Sequence, residues 1–187
     1  MELRSGTWTV GPADGTLVVR TKREGAAARM GHDLTLTATR WQATVSIDAA
    51  TPDASTVRAT VDSASLVVTA ATGGAIGLSA SQKIEVETNI REKVLHSERY
   101  PEITFASTSV TSDPTAGSVI GDLTLAGRTR PVTLAVRLDD SSGSPAASAT
   151  TSIVQSEFGM KPYSAMLGAL KVRDVVELSV DVTLPRQ

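Results

Sequence analysis

An all-β fold, an antiparallel sandwich or barrel crossed by one amphipathic helix, is what this 187-residue sequence predicts. Three observations point to it. The chain carries 24 Thr and 20 Val, β-branched side chains that suit a pleated, half-buried surface. Apolar and polar residues alternate strictly along several segments, as they do in strands with one dry and one wet face, the pattern of antiparallel sheet. Clusters of Gly, Pro, Asp and Ser separate those segments at short intervals.

The elements follow in chain order. Residues 7–10 and 16–21 are strands, split by the turn cluster GPADG at 11–15. Residues 33–40 (DLTLTATR) set Leu34, Leu36 and Ala38 against threonines. Residues 41–48 (WQATVSID) set Trp41, Ala43, Val45 and Ile47 against Gln42, Thr44, Ser46 and Asp48. After TPDA at 51–54 come strands at 55–62 and 65–69, and then a flexible stretch holding Gly73, Gly74 and Gly77. Residues 80–99 form the helix, with Val86, Ile90 and Val94 at spacing four and Leu95 beside them. Glu87 and Arg91 stand in the favourable i,i+4 order, and Tyr100-Pro101 ends the helix because proline disfavours a helical predecessor. Strands at 103–110 and 119–126 flank SDPTAG at 112–117. Past Gly127, residues 131–140 set Val132, Leu134, Val136 and Leu138 against Thr133, Ala135, Arg137 and Asp139. The turn cluster DDSSGSP at 139–145 leads to a strand at 147–156. Residues 158–170 (FGMKPYSAMLGAL) break the period and predict a partly buried loop or short helix under a barrel mouth. The last strand, 176–184, sets Val176, Leu178, Val180, Val182 and Leu184 inward. No linker or repeat divides the chain, so a single domain over 1–187 is expected.

Composition excludes several functions. With no cysteine there is no disulfide, thiolate zinc site or cysteine nucleophile. The net charge is −2 and the basic residues are scattered, so no basic stripe suits nucleic acid. Two Phe, two Tyr and two Trp supply few stacking platforms. No apolar window is long enough for a membrane span, and no signal segment stands at the N-terminus, so a cytoplasmic protein is expected. Catalytic constellations are missing as well. The two histidines, His32 and His96, lie far apart, and no metal site is expected. His32 reads foremost as a turn residue bonded to backbone, and His96 as a cation near a helix C-terminus. GLSAS at 77–81 lacks the closing glycine of a nucleophile elbow, and ATGGAIG at 71–77 matches no phosphate loop. No enzyme activity and no cofactor are expected.

Several strings are more informative together. YPEITFASTSV at 100–110 and GDLTLAGRTRPVTLAV at 121–136 stand in order with GTWTV at 6–10, MGHDL at 30–34 and FGMKPYSAMLGALKVRD at 158–174. This combination resembles the YceI-like, or polyisoprenoid-binding, family, whose marks are a Tyr/Phe-Pro-x-Ile-x-Phe strand and a Gly-Asp-Leu-Thr-Leu/Ile-x-Gly-x-Thr-x-Pro-Val hairpin. Within the hairpin, Gly127 permits a positive-φ turn and Pro131 opens the next strand. The resemblance implies a lipocalin-like extended antiparallel β-barrel with one amphipathic α-helix packed against it, holding an isoprenoid or similar long-chain lipid.

The expected role is non-catalytic binding, carriage or sequestration of such an elongated ligand. Trp41, Phe105, Met160, Tyr163, Met166 and Leu167 are the expected lining, and His32, Arg29 or Lys161 would meet an anionic head group at the mouth. The rival is a structural or interaction barrel with a filled core and no ligand. An exposed first or last strand would support a homodimer.

Overall fold

A computed structural model describes residues 5–74, 76–112, 116–139 and 146–184, so parts of the turn clusters expected at 112–117 and 139–145 lie outside the described residues. The first seven strands are β1 Gly6–Val10, β2 Gly15–Thr21, β3 Arg23–Glu24, β4 Asp33–Ala38, β5 Trp41–Ile47, β6 Thr56–Asp62 and β7 Leu66–Thr72. Helix α1, Ala80–Asn89, continues into a π turn, Ile90–Val94. Then come β8 Glu102–Ser112, β9 Ala116–Leu125, β10 Arg128–Asp139, β11 Ala146–Val154, β12 Ser164–Ala165, β13 Leu170–Val172 and β14 Val175–Thr183.

Eleven strands form one antiparallel sheet in the order β1–β5–β6–β8–β9–β10–β11–β14–β2–β4–β7, and β12–β13–β3 form a small second one. The two ends of the large sheet are tied together by the chain itself. β4 runs into β5 through Thr39 and Arg40, and β6 into β7 through the 3-10 turn Ser63–Ser65. The Thr39 N–H donates to Ser65 O at 3.0 Å and the Asp62 N–H to Arg40 O at 3.0 Å, so each link holds the other. The Arg40 Nε–H also donates to Asp62 Oδ2 at 2.8 Å, and this bond holds the Asp62 carboxyl below the usual carboxylate range. The sheet thereby curls back on itself into a lipocalin-like barrel.

Period-two alternation decides what fills it. Inward residues make two buried clusters. One gathers Val10, Leu17, Ala38, Trp41, Val61 and Leu184; the other gathers Val94, Leu95, Leu123, Leu125, Ile153, Phe158, Met160 and Val176. Val19, Leu66, Ile103 and Leu178 pack against both and form the layer between them.

The helix begins where Ser79 and Gln82 close a capping box. Ser79 Oγ accepts the Gln82 N–H, and Gln82 Oε1 accepts the Ser79 N–H at 2.9 Å. It ends earlier than the sequence predicts: regular helix stops at Asn89, and the Leu95 N–H donates to Ile90 O at 2.9 Å in the π turn. His96 then takes φ +50° and turns the chain away. The adjacent apolar pair Val94 and Leu95, both buried, sits at the end of this π turn. The predicted Glu87–Arg91 pair is also replaced. Glu87 Oε1 accepts the Val68 N–H of the edge strand β7 at 2.7 Å, and Arg91 donates to Thr88 Oγ1. The helix therefore seals one exposed edge of the sheet, a surface that unprotected would invite pairing with another chain.

In the β9–β10 hairpin both turn residues have positive φ, Ala126 at +50° and Gly127 at +75°, as a tight two-residue hairpin with the right twist demands. A Cβ on Gly127 would meet the Tyr100 ring at 2.5 Å. Pro131 does not open β10, which starts at Arg128. Because β11 pairs with β10 only from Ala135 onward, the outer side of Pro131 has no ladder to interrupt.

Candidate functional site

Between α1 and the concave face of the sheet lies a cavity of about 380 Å³. Its walls are side chains that alternation points inward. Val19, Leu34 and Leu36 come from β2 and β4, Ile103, Leu123 and Leu125 from β8 and β9, and Ile153, Val176 and Leu178 from β11 and β14. The helix closes the top with Val86, Asn89 and Ile90, spaced three and four apart so that they share one face. Met160 and Tyr163 complete the wall from the segment before β12.

The polar residues of this lining are Thr21, Arg23, His32, Gln82, Glu85, Asn89, Gln155 and Lys171. Arg23 is fixed by two bonds from Nη1, to Thr72 O at 2.9 Å and to Gly31 O at 3.2 Å. His32 Nε2 is 2.8 Å from Ile76 O; since a carbonyl only accepts, this nitrogen carries the proton. The two glycines that follow β7 make both placements possible. A Cβ on Gly73 (φ +82°) would fall 1.4 Å from Arg23 Nη1, and one on Gly74 (φ +71°) 2.4 Å from His32 Nε2. The glycine stretch predicted to be merely flexible is thus a cradle for two basic side chains. Thr21 Oγ1 is buried and has no hydrogen-bond partner among the described residues.

Of the residues the sequence singles out, the structure brings Met160, Tyr163 and His32 together around this cavity. Trp41 is buried in the other cluster, beyond the dividing layer, and Phe105 packs against the cavity-side cluster without lining the cavity. Met166 and Leu167 do not line it either: they are exposed in the 3-10 turn Met166–Gly168, both at positive φ. Arg29 and Lys161 are exposed outside the lining. The basic lining residues that sequence reasoning missed are Arg23 and Lys171. Their signal is faint, since both belong to strands of two and three residues, β3 and β13, too short to show alternation.

A second, outward-facing groove of about 880 Å³ runs past the end of the π turn, lined by charged residues that include Arg91, Glu92, His96, Glu98, Arg99 and Arg128. Its mixed-charge lining distinguishes it from the mainly apolar cavity beneath α1. Among the described residues no group of three His, Asp or Glu side chains is placed to hold a metal ion, and no helix is long and apolar enough to cross a membrane.

Comparison with known proteins agrees with this architecture. The sequence profile of the YceI-like domain matches residues 8–184. The sequence matches none of the curated proteins it was compared with. Among solved structures, BcnA of Burkholderia cenocepacia superposes with a TM-score of 0.71 at 17% identity, over 94% of this chain and 99% of that one. The YceI protein of Campylobacter jejuni gives 0.61 at 17% identity, over 81% and 84%. A polyisoprenoid-binding domain from Saccharophagus degradans, implicated in plant cell wall breakdown, gives 0.56 at 10% identity, over 97% and 100%. At these identities the likeness is one of fold.

Proposed function

The chain belongs to the YceI-like family, and from that premise we propose that it binds and carries an elongated apolar or amphiphilic ligand in the cavity beneath α1, without transforming it. The apolar cavity beneath α1 is the observation that carries this reading. Its wall is built from aliphatic side chains of seven strands of the large sheet together with the helix, so each ligand methylene buried there contributes about 0.8 kcal/mol. The polyisoprenoid-binding domain that shares the fold supports the same class of ligand. A barrel filled throughout, the rival expectation, leaves the cavity beneath α1 without a role.

Organic extraction of the purified protein followed by mass spectrometry tests the proposal. Recovery of a long-chain amphiphile in near-stoichiometric amount is expected. Extracts that match a buffer blank, together with no uptake of any added lipid, would refute it.

A further inference from the structure

We propose that the end of the barrel where the cavity meets solvent docks onto an anionic lipid bilayer, with Leu167, Met166, Ile76 and Met30 as the side chains that enter the interface. This outer surface is distinct from the ligand cavity, and it can fail while the binding role stands.

Three turns build this end. One carries the 3-10 segment Ala28–Met30, the second links β7 to α1, and the third carries the 3-10 segment Met166–Gly168. The Ala27 N–H donates to Ala169 O at 2.8 Å and ties the first turn to the third. His32 Nε2 reaches Ile76 O at 2.8 Å and ties the first to the second. Gly31 lies against the Leu170 side chain, where an added Cβ would fall 2.5 Å from Cδ1. Met30, Leu78 and Leu170 also line the cavity, and Met30 is exposed as well, so the turns border its mouth.

The same turns hold apolar side chains out in solvent. Seven large apolar residues are exposed among the described ones, and four of them are Met30, Ile76, Met166 and Leu167. Ile76 is 82% exposed and Leu167 110%. A single exposed leucine needs no explanation, whereas four large apolar residues around one opening mark an interaction surface. Met166 and Leu167 keep that exposure at positive φ, a strained backbone of the kind that collects at functional sites. Charge selects the occupant. Residues 25–32, 73–79 and 160–171 include Arg29, Lys161 and Lys171 and no Asp or Glu, in a chain whose net charge is −2. All three cations are exposed, and the ion pairs among the described residues engage none of them. The neighbouring carboxylates Glu24 and Asp33 are paired with Arg173 and Lys22, and Glu85 on α1 is the one carboxylate in the cavity lining. Apolar tips among free cations match a bilayer interface, where the tips reach the acyl boundary and the cations meet anionic head groups. A second copy docked face to face would set these cations against their own likeness.

The test is co-sedimentation of the full chain with extruded vesicles, one set of phosphatidylcholine alone and one of equal parts phosphatidylcholine and phosphatidylglycerol. Association with the anionic set is expected, weakening as salt is added, with little on the neutral set. Leu167→Asn suits the left-handed backbone, so its fold is retained, and it should weaken partitioning at least about tenfold. Arg29→Gln and Lys161→Gln should each weaken it about fivefold. Ile120→Thr removes an exposed apolar residue from β9, away from the three turns, and should change nothing. Protein that stays in solution with anionic vesicles overturns the proposal. Equal association with both vesicle sets overturns it too, as does a Leu167→Asn variant that partitions like the parent or an equal loss in Ile120→Thr. A dimer that Leu167→Asn dissociates, with no vesicle association, would assign the turns to a second copy instead. Lipid recovery by extraction reads the binding role separately, so failure of one is distinguishable from failure of the other.

Discussion

Leu167 shows how far a single residue departs from the sequence expectation. It is fully exposed, yet holds φ +55° beside Met166 at +52°, a conformation that costs a branched side chain of order 1–3 kcal/mol. Neither fact is legible in FGMKPYSAMLGAL, whose apolar residues match buried and exposed segments equally well. Replacing Leu167 by Asn, which tolerates the left-handed region, should stabilise the fold by about 1 kcal/mol in denaturant unfolding. A loss of stability would show that the leucine side chain packs after all. At Gly73 the sign reverses. Gly73→Ala strains a residue at φ +82° and pushes the Arg23 guanidinium off its two carbonyls. It should lower stability by about 1 kcal/mol, as denaturant unfolding would reveal.

At the scale of elements, alternation made the long strands legible to within a few residues, because each has one buried and one wet face. The helix was legible in position but not in length. Its start carries a readable signal, Ser79 three residues before Gln82, whereas its end depends on Val94 and Leu95 both finding the core, a tertiary demand that local spacing does not encode. Glu87 was misjudged for the same reason: its partner, the Val68 N–H, is on another element. Glu87→Ala leaves that buried edge N–H unsatisfied and should cost about 1.5–3 kcal/mol, the worth of a charge-assisted hydrogen bond. The same variant should release a bound probe faster, because α1 roofs the cavity. A second element-level contact acts through pH. Asp62 is held below its ordinary range chiefly by the hydrogen bond from Arg40. A lowered folded-state value means the contribution is complete above the ordinary carboxylate range and lost as pH falls through the folded one. Arg40→Gln should therefore flatten the acid limb of the stability curve and leave the shape of the curve near neutrality unchanged.

At the scale of the whole molecule, an all-β sandwich or barrel was legible from composition and period, and the lipocalin-like barrel and the family from a strand string and a hairpin string read together. The site was legible only in part. Sequence placed Met160, Tyr163 and His32 near one another but could not separate the part of the interior that holds the cavity from the part packed around Trp41, because both are lined by the same alternating Val, Leu and Ile. That division is a property of the curled sheet as a whole. A crystal structure of the protein purified without delipidation tests the central claim most directly. We predict continuous elongated density between α1 and the layer formed by Val19, Leu66, Ile103 and Leu178. A cavity holding only water, or one closed by inward movement of Met160 and Tyr163, would contradict it.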